Sequence, residues 1–525
     1  MFNLYDYWFS NKNVWFNPTQ SDDKYITETF FNEDFFSLFT PKNESQLLDN
    51  FKKGFEIILL YDQVPRHAKR VLGDIDCDAY TSMIIRFAEK FYTKYCYTLN
   101  PEEFAFTLLP LRHSKDYEKI LFVIKETLIK IKFKPKELEY KRFLKATLER
   151  YISQCDDTPN IQYFEPNSDI DEIVDPINIC ELGLESYKPR LIEKDIPKNF
   201  MDKFEVNREK NKVIISLSGG VDSMVMSYIL TKVYGFQSVV AVHINYNNRK
   251  ECDSEVEIIK LWCSFLRIKL YIRKIVELSR PECMELELRD LYESFTRDLR
   301  YSSYQNVAKL LNSDNCSVYL GHNKDDRFEN ILTNISSESH YSNLNGMELK
   351  TEQKFKDEII TFIRPMLNIV KSDIFSFANY CQIPHFIDST PKWSQRGKIR
   401  DLVRPAIESW NPKAVESFFA LSDVLSELVS IVDTTAIHYV NKIKEKKTFN
   451  IQITDLPQKI LLKTIFVKLG LQITQKGLDA FYEKIKFIKD NFNKYKINAK
   501  NFYQLNKITK LEWKKINDEE FIILF

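Results

Sequence analysis

At 213–217 the apolar run VIISL passes through Ser218-Gly219-Gly220-Val221-Asp222-Ser223 straight into a segment of helical spacing. A strand, a glycine turn and a helix in that order make a phosphate loop. The glycines let the backbone turn tightly and approach a bulky anion, while the first helical amides point at it with the helix dipole behind them. Ser218 and Ser223 add hydroxyls. Asp222 is the odd member, because a carboxylate beside phosphates makes electrostatic sense only with a cation, either Mg2+ or a substrate ammonium.

The surroundings repeat the theme. After VIISL come a helix from Val221, then SVVAVHINY, a helix from Ser254, KLYIRKI, a longer helix through Arg297, SVYLGH, another helix and TFIRPML. Short apolar strands alternating with helices predict an α/β fold: a parallel five-stranded sheet with helices on both faces, over residues 205–411. In such a sheet each strand delivers its C-terminal residues to one crevice, so the 218–223 loop, His243 and His322 are expected to meet there. Asp326 and Glu329, three apart on a helix, share a face and are expected to cluster with Asp222.

The flanks differ in texture. Residues 1–155 carry apolar positions three and four apart, as in FKKGFEIILLYDQV, and predict an all-helical domain. Residues 156–204 are acidic and rich in Pro and Asp, and read as a linker. Residues 412–525 predict a small, mostly helical domain closed by a hairpin about Asn517 and Asp518. Between Asn441 and Lys515 lie 18 Lys, no Arg and 6 acidic residues, an excess of 12 in a chain whose net charge is only +1. The rest is correspondingly acidic, a polarity suited to gripping a polyanion with one segment.

The nine cysteines are scattered with no C-x-x-C pair, which argues against a zinc site or an iron–sulfur cluster. No apolar run reaches the length of a membrane span, and Met1 to Ser10 lacks the basic residues of a signal or transit peptide. A cytoplasmic location without membrane association is the expectation.

The hexapeptide Ser218 to Ser223 resembles the PP-loop of the N-type ATP pyrophosphatases, which have the adenine nucleotide alpha hydrolase-like fold. Four further stretches resemble the tRNA(Ile)-lysidine synthetase branch: His243-Ile-Asn245-Tyr-Asn-Asn-Arg249; Arg297-Asp-Leu-Arg300-Tyr301; Gly321-His322-Asn323-Lys-Asp325-Asp326-Arg327-Phe-Glu329-Asn330; and Arg364-Pro365-Met-Leu367 with Ile387-Asp388-Ser389-Thr390 and Arg396-Gly-Lys398-Ile-Arg400. The resemblance implies ATP and Mg2+ as cofactors, tRNA as partner through the anticodon loop of an isoleucine-type tRNA, and free lysine as co-substrate. A homodimer is compatible with it. It implies adenylation of a wobble cytidine and attack by lysine to form lysidine. Asp222, Asp326, Glu329, Arg297 and Arg300 would be catalytic. Ser218, Gly219, Gly220, Val221, Asp222, Ser223, His243, Asn245 and His322 would bind ATP, Asp222 would hold the metal, and Arg249, Arg396, Lys398 and Arg400 would take RNA or phosphate.

Departures from the family pattern keep other readings open. Arg327 stands where the family has Gln, Asn330 where it has Thr, and Tyr246-Asn247-Asn248 replaces the usual turn. A non-catalytic RNA-binding scaffold on a diverged PP-loop fold is one alternative, and a PP-loop ATPase acting on another tRNA base or a small amide or carboxylate substrate is another. The first 150 residues resemble a tetratricopeptide-like bacterial domain of unknown function through Leu59-Leu60-Tyr61-Asp62-Gln63-Val64-Pro65-Arg66 and Leu109-Pro110-Leu111-Arg112-His113-Ser114. Asp62, Arg66 and His113 read there as a buried polar network or a binding cleft.

Overall fold

The computed structural model describes residues 3–15, 17–154, 157–166, 195–205, 212–312, 316–337, 343–344, 346–386, 394–471, 473–504 and 510–524. The chain forms two compact units, one of residues 1–323 with 349–388, the other of 324–348 with 389–525.

The first unit begins with helices throughout residues 4–154, among them Phe51–Asp62, Val64–Leu72, Cys77–Tyr95, Pro101–His113, Tyr117–Phe133 and Leu138–Gln154. Their starts are written locally. Asn100 caps helix Pro101–His113, with Pro101 in its first turn, and the Glu103 side chain accepts a hydrogen bond from the Asn100 amide. Thr19 and Asp22 make the same reciprocal box at Gln20–Phe30.

The sheet of this unit has seven strands: β1 Ile161–Phe164, β2 Val213–Ser216, β3 Val239–Asn245, β4 Lys269–Lys274, β5 Cys316–Tyr319, β6 Lys350–Phe355 and β7 Glu358–Ile363, in the order β1-β4-β3-β2-β5-β7-β6. The five expected strands are the parallel core, β4, β3, β2, β5 and β7. The α/β reading therefore holds, and its strand count is corrected by two antiparallel edges, β1 on β4 and β6 on β7. Their sequences hide them. β1 is four half-exposed residues inside the stretch read as linker, and KTEQKF of β6 is a polar edge with no buried position. β3, by contrast, is buried at all seven positions and reads as an apolar run.

One core runs from the helices of residues 4–152 into Ile214, Val240 and Val242 of the sheet, while Met224, Trp262 and Phe377 fill the other face. The helical segment is thus built onto the sheet. Arg273 of β4, 1% exposed, ties the two together: it donates to Asp157 at 2.8 Å, to Tyr151 at 3.0 Å and to Glu277. A guanidinium so buried is tolerable because two carboxylates and a phenol saturate it.

In the second unit a helix at Lys324–Ser336 meets Ile399 and the start of the 33-residue helix Ala414–Lys446, with Phe328, Ile331, Val415 and Phe419 between them. The C-terminal part is less helical than expected. β8 Thr448–Gln452, β9 Asn501–Gln504, β10 Lys510–Lys515 and β11 Glu520–Leu524 form an antiparallel sheet in the order β8-β11-β10-β9. The predicted hairpin is β10–β11, which Asn517 turns. Helices Lys459–Lys468 and Gln475–Asp490 share its core through Phe466, Phe481 and Trp513. Among the described residues no helix is long and apolar enough to cross a membrane.

Candidate functional site

The 218–223 loop is closed by its own last residue. Ser223 Oγ accepts from the amides of Ser218 at 3.2 Å and Gly219 at 3.1 Å, lies 3.1 Å from Ser218 Oγ, and donates to Gly220 O at 3.0 Å. Both serines read as phosphate donors therefore also organise the loop. Gly219 sits at φ +85°, and a Cβ there would lie 2.1 Å from the Phe386 ring, whose own amide donates to Gly219 O at 3.0 Å. That position admits only glycine. Gly220 caps helix Val221–Tyr234, whose first-turn amides have no acceptor one turn back, so Val221, Asp222 and Ser223 present a positive helix end.

One expected neighbour, His243, and two further residues of the 321–330 stretch, Gly321 and Asn323, lie against the loop and its helix. His243 of β3 is 5% exposed and its Nδ1–H donates to Leu217 O at 2.8 Å, so it supports the strand leading into the loop. Burial pulls its pKa below the usual value, which keeps the ring neutral. Gly321, after β5, packs closely on the loop: a Cβ there would lie 3.0 Å from Ser223 N and crowd the backbone. Asn323 donates its Nδ2 to Asp222 Oδ1 at 3.0 Å. His322 instead turns to Arg364, whose Nε donates to His322 Nδ1 at 3.3 Å while its Nη1 reaches Thr351 at 3.1 Å.

The second oxygen of Asp222 pairs with Lys371, the first residue of helix Lys371–Cys381. Sequence reasoning passed over Lys371, which carries no motif of its own; the apolar turn after Arg364-Pro365 is its only local signal. The pair changes the electrostatic picture, because Asp222 carries its own counter-ion. For Mg2+ the loop offers the Asp222 carboxylate, and among the described residues no group of three or more His, Cys, Asp or Glu could hold a metal. The donor set does not make a resident metal site. An ion arriving with ATP would take most of its ligands from phosphates.

Other expected residues lie elsewhere in the first unit. Asn245 is buried and serves the turn after β3, accepting from Asn247 N at 2.8 Å and donating to Asp253 at 3.0 Å. Arg249 pairs with Glu255 at 2.8 Å on the surface. Arg297 is exposed, bonded to Asp298 and Ser294. Arg300 lies one turn further on the same helix, half-buried against Tyr301 with its centroid 5.6 Å away, and its Nε has no hydrogen-bond partner.

Asp326 and Glu329 belong to the second unit, where they share one cation. Arg400 grips both oxygens of Glu329 and lies 3.5 Å from Asp326. It stands in a five-residue π-helical turn, Ile399–Val403, a local widening that swings its side chain out of α-helical register. Glu329 is 3% exposed, and burial raises its pKa although Arg400 opposes the rise. Asp325 pairs with Arg404 at 2.9 Å. Arg396 and Lys398 are exposed. The departures have local partners: Arg327 reaches Ser422 at 2.7 Å and Asp423, and Asn330 accepts from Asn334 at 3.1 Å. The 387–390 motif lies outside the described residues.

A glycine-bent loop at the C-terminal end of a central parallel strand, sealed by its own serine and facing a helix dipole, defines an ATP-binding domain of the PP-loop class. Residues 193–407 match that family's model, ATP_bind_3, the PP-loop domain. Over this region the chain is similar to the tRNA(Ile)-lysidine synthases. The tRNA(Ile)-lysidine synthase of Mesoplasma florum is 25% identical over 310 residues, 58% of this chain and 72% of the relative. That of Borreliella afzelii is 26% identical over 295 residues, 54% of this chain and 64% of the relative. The bifunctional protein TilS/HprT of Listeria monocytogenes is 25% identical over 264 residues, 49% of this chain but only 39% of its own length. Among solved structures, the U34-tRNA thiolase NcsA of Methanococcus maripaludis aligns with a TM-score of 0.33 and 20% identity over 41% of this chain and 72% of that one.

Proposed function

We propose that this chain is an ATP-dependent tRNA-modifying ligase that forms lysidine. The C2 oxygen of a wobble cytidine attacks the α-phosphorus of ATP and pyrophosphate leaves. The free lysine amine then attacks C2, AMP leaves with the oxygen, and the amine gives up a proton. The observation that carries the reading is the placement of Asp222 on the phosphate-facing helix end, held between Asn323 and Lys371.

In this reading the first-turn amides of Val221, Asp222 and Ser223 and the Lys371 ammonium stabilise charge developing on the departing pyrophosphate. Asp222 steers the cation that accompanies the reaction, whether the lysine ammonium or a nucleotide-bound Mg2+. Asp326 and Glu329 hold Arg400 extended, and Arg400, with Arg396, Lys398 and Arg249, serves phosphate or RNA contacts. Arg297 and Arg300 contribute to nucleotide or RNA binding from their helix. Residues 205–411 would be the catalytic segment, residues 412–525 the tRNA grip, with lysines interleaved with Tyr482, Tyr495 and Tyr503, and residues 1–155 a tetratricopeptide-like helical module.

The test is ATP–pyrophosphate exchange and AMP release with and without tRNA, followed by nucleoside mass spectrometry of tRNA from cells with and without the protein. Tight dependence on tRNA together with a lysine-modified cytidine in the first sample alone is the expected result. An unmodified wobble cytidine in both samples removes the lysidine assignment. Exchange that persists with a small carboxylate in place of tRNA moves the chain to a small-molecule ligase.

A further inference from the structure

The 33-residue helix Ala414–Lys446 is anchored at both ends and bare between them. Near its start Val415 and Phe419 pack on Phe328 and Ile331; near its end Ala436, Val440 and Ile443 join the core of Leu462 and Phe466. From Asp423 to Thr435, all of them described residues, no position is buried. A helical bridge standing in water is expected to be polar all round. This one reads DVLSELVSIVDTT.

Leu421, Val424, Leu428 and Ile431 are each between 51% and 62% exposed. Their spacing of three, four and three residues puts them on one face, and the half-buried Leu425, Val432 and Thr435 fall in the same stripe, roughly 120° wide. The anchoring residues Val415, Phe419, Ala436 and Val440 point about a quarter turn or more away from it, so neither end of the helix covers the stripe. Its charges are mostly answered within the chain, Asp423 by Arg327 and Asp433 by Lys468 at 3.3 Å. Glu427, at the edge of the stripe, carries no ion pair among the described residues.

The stripe is palindromic. About Leu428 the positions match as Leu425 with Ile431, Val424 with Val432 and Leu421 with Thr435. A copy running the other way, related by a two-fold axis at Leu428, therefore sets apolar side chains against apolar side chains along the seam, which is the self-complementarity an isologous contact requires. The seam is about 20 Å long, and with its flanks a helix pair of that length buries on the order of 1,000 Å² in all, the lower end for a specific association.

We infer that a second copy of this chain covers the stripe, the two helices packing antiparallel about a two-fold axis at Leu428. Association removes from water an apolar seam that a single copy leaves exposed. A contact of this size makes a reversible dimer with a dissociation constant of about micromolar order.

Sedimentation velocity of the full-length protein from about 0.1 to 100 µM tests this, a range that brackets such a constant. The expected result is a monomer–dimer equilibrium that shifts with concentration. Leu428→Glu sets two carboxylates against each other at the axis and should raise the dissociation constant at least about 100-fold, with the helical circular dichroism unchanged because the side chain is half in water. Ile431→Glu should act alike and carries the test should Leu428→Glu not fold. Direction is read by oxidising single-cysteine additions against a wild-type control for the native thiols. Leu428→Cys meets its own copy and should give a cross-linked dimer, whereas Leu421→Cys meets Thr435 and should not. A wild type that stays monomeric throughout, or a dimer indifferent to both glutamate variants, overturns the proposal. So does cross-linking of Leu421→Cys as readily as Leu428→Cys, the mark of a parallel pair.

Discussion

Asp222 and Glu329 are both carboxylates on helices that follow parallel strands, Asp222 in the first turn and Glu329 in the second, and each is paired with a cation, yet their surroundings differ. Asp222 is about one-fifth exposed, at 21%, and its partner Lys371 is similarly open at 24%. A lysine ammonium is a mobile point charge that a substrate cation or a phosphate can displace or borrow. Glu329 is 3% exposed and is held by both arms of Arg400. A planar fork on a buried carboxylate is a fixture. The difference teaches that motif membership does not by itself assign roles: in the proposed reaction Asp222 would meet reactants, whereas Glu329 would act as a positioning residue for Arg400.

The largest effect that would sharpen this contrast is on rate. Asp222→Ala is expected to reduce tRNA-dependent AMP release by about 10³-fold, the scale of losing a group aimed at transition-state charge. Its melting temperature should hardly move, because a part-exposed ion pair contributes little. A large loss of stability in Asp222→Ala would break the comparison. Next, Glu329→Ala strips a buried pair. Arg400 keeps Asp326, so the expected destabilisation is about 2 to 3 kcal/mol in denaturant unfolding rather than the full cost of an orphaned charge. Stability equal to the wild type would show that the fork is not a fixture.

The same rule, that buried groups govern stability, makes a pH prediction in the N-terminal helices. His113 has its pKa depressed from 6.5 to about 4. A depressed group leaves the folded state at full stability above pH 6.5, and stability is lost as pH falls toward 4, because the unfolded chain binds the proton first. Between pH 6.5 and 5 the wild type should lose about 2 kcal/mol more than His113→Asn. Parallel curves would remove the claim. The smallest effect concerns the lysine-rich segment: Lys484→Gln with Lys486→Gln should weaken tRNA binding only several-fold while lowering the slope of log K against log salt by about 1 to 2. An unchanged slope would mean that these lysines do not meet RNA.

Much of the architecture was legible along the chain. The five parallel strands announced themselves because buried strands are written as unbroken apolar runs, and β3 is buried throughout. The edge strands β1, β6 and β9 did not, since an edge needs no apolar face; KTEQKF looks like a loop until β7 pairs with it. The loop and its serines, glycines and Asp222 were visible through the fixed backbone demands of a strand turning into a helix. Arg364 was quoted within a motif but not assigned to the site, and Lys371 escaped notice because a single lysine opening a helix carries no motif of its own.

What the amino acids alone decided, then, is chemistry with a short range. Glycine at 219 answers a φ of +85°, and serine at 223 reaches back to two amides within five residues. What only the tertiary structure decided is which charges meet. Asp222 and Lys371 are 149 residues apart, Glu329 and Arg400 71, and Asp62 and His113 51. An ion pair requires two side chains within a few ångströms, and no local pattern encodes a partner that arrives only when separate helices and strands close around a shared core.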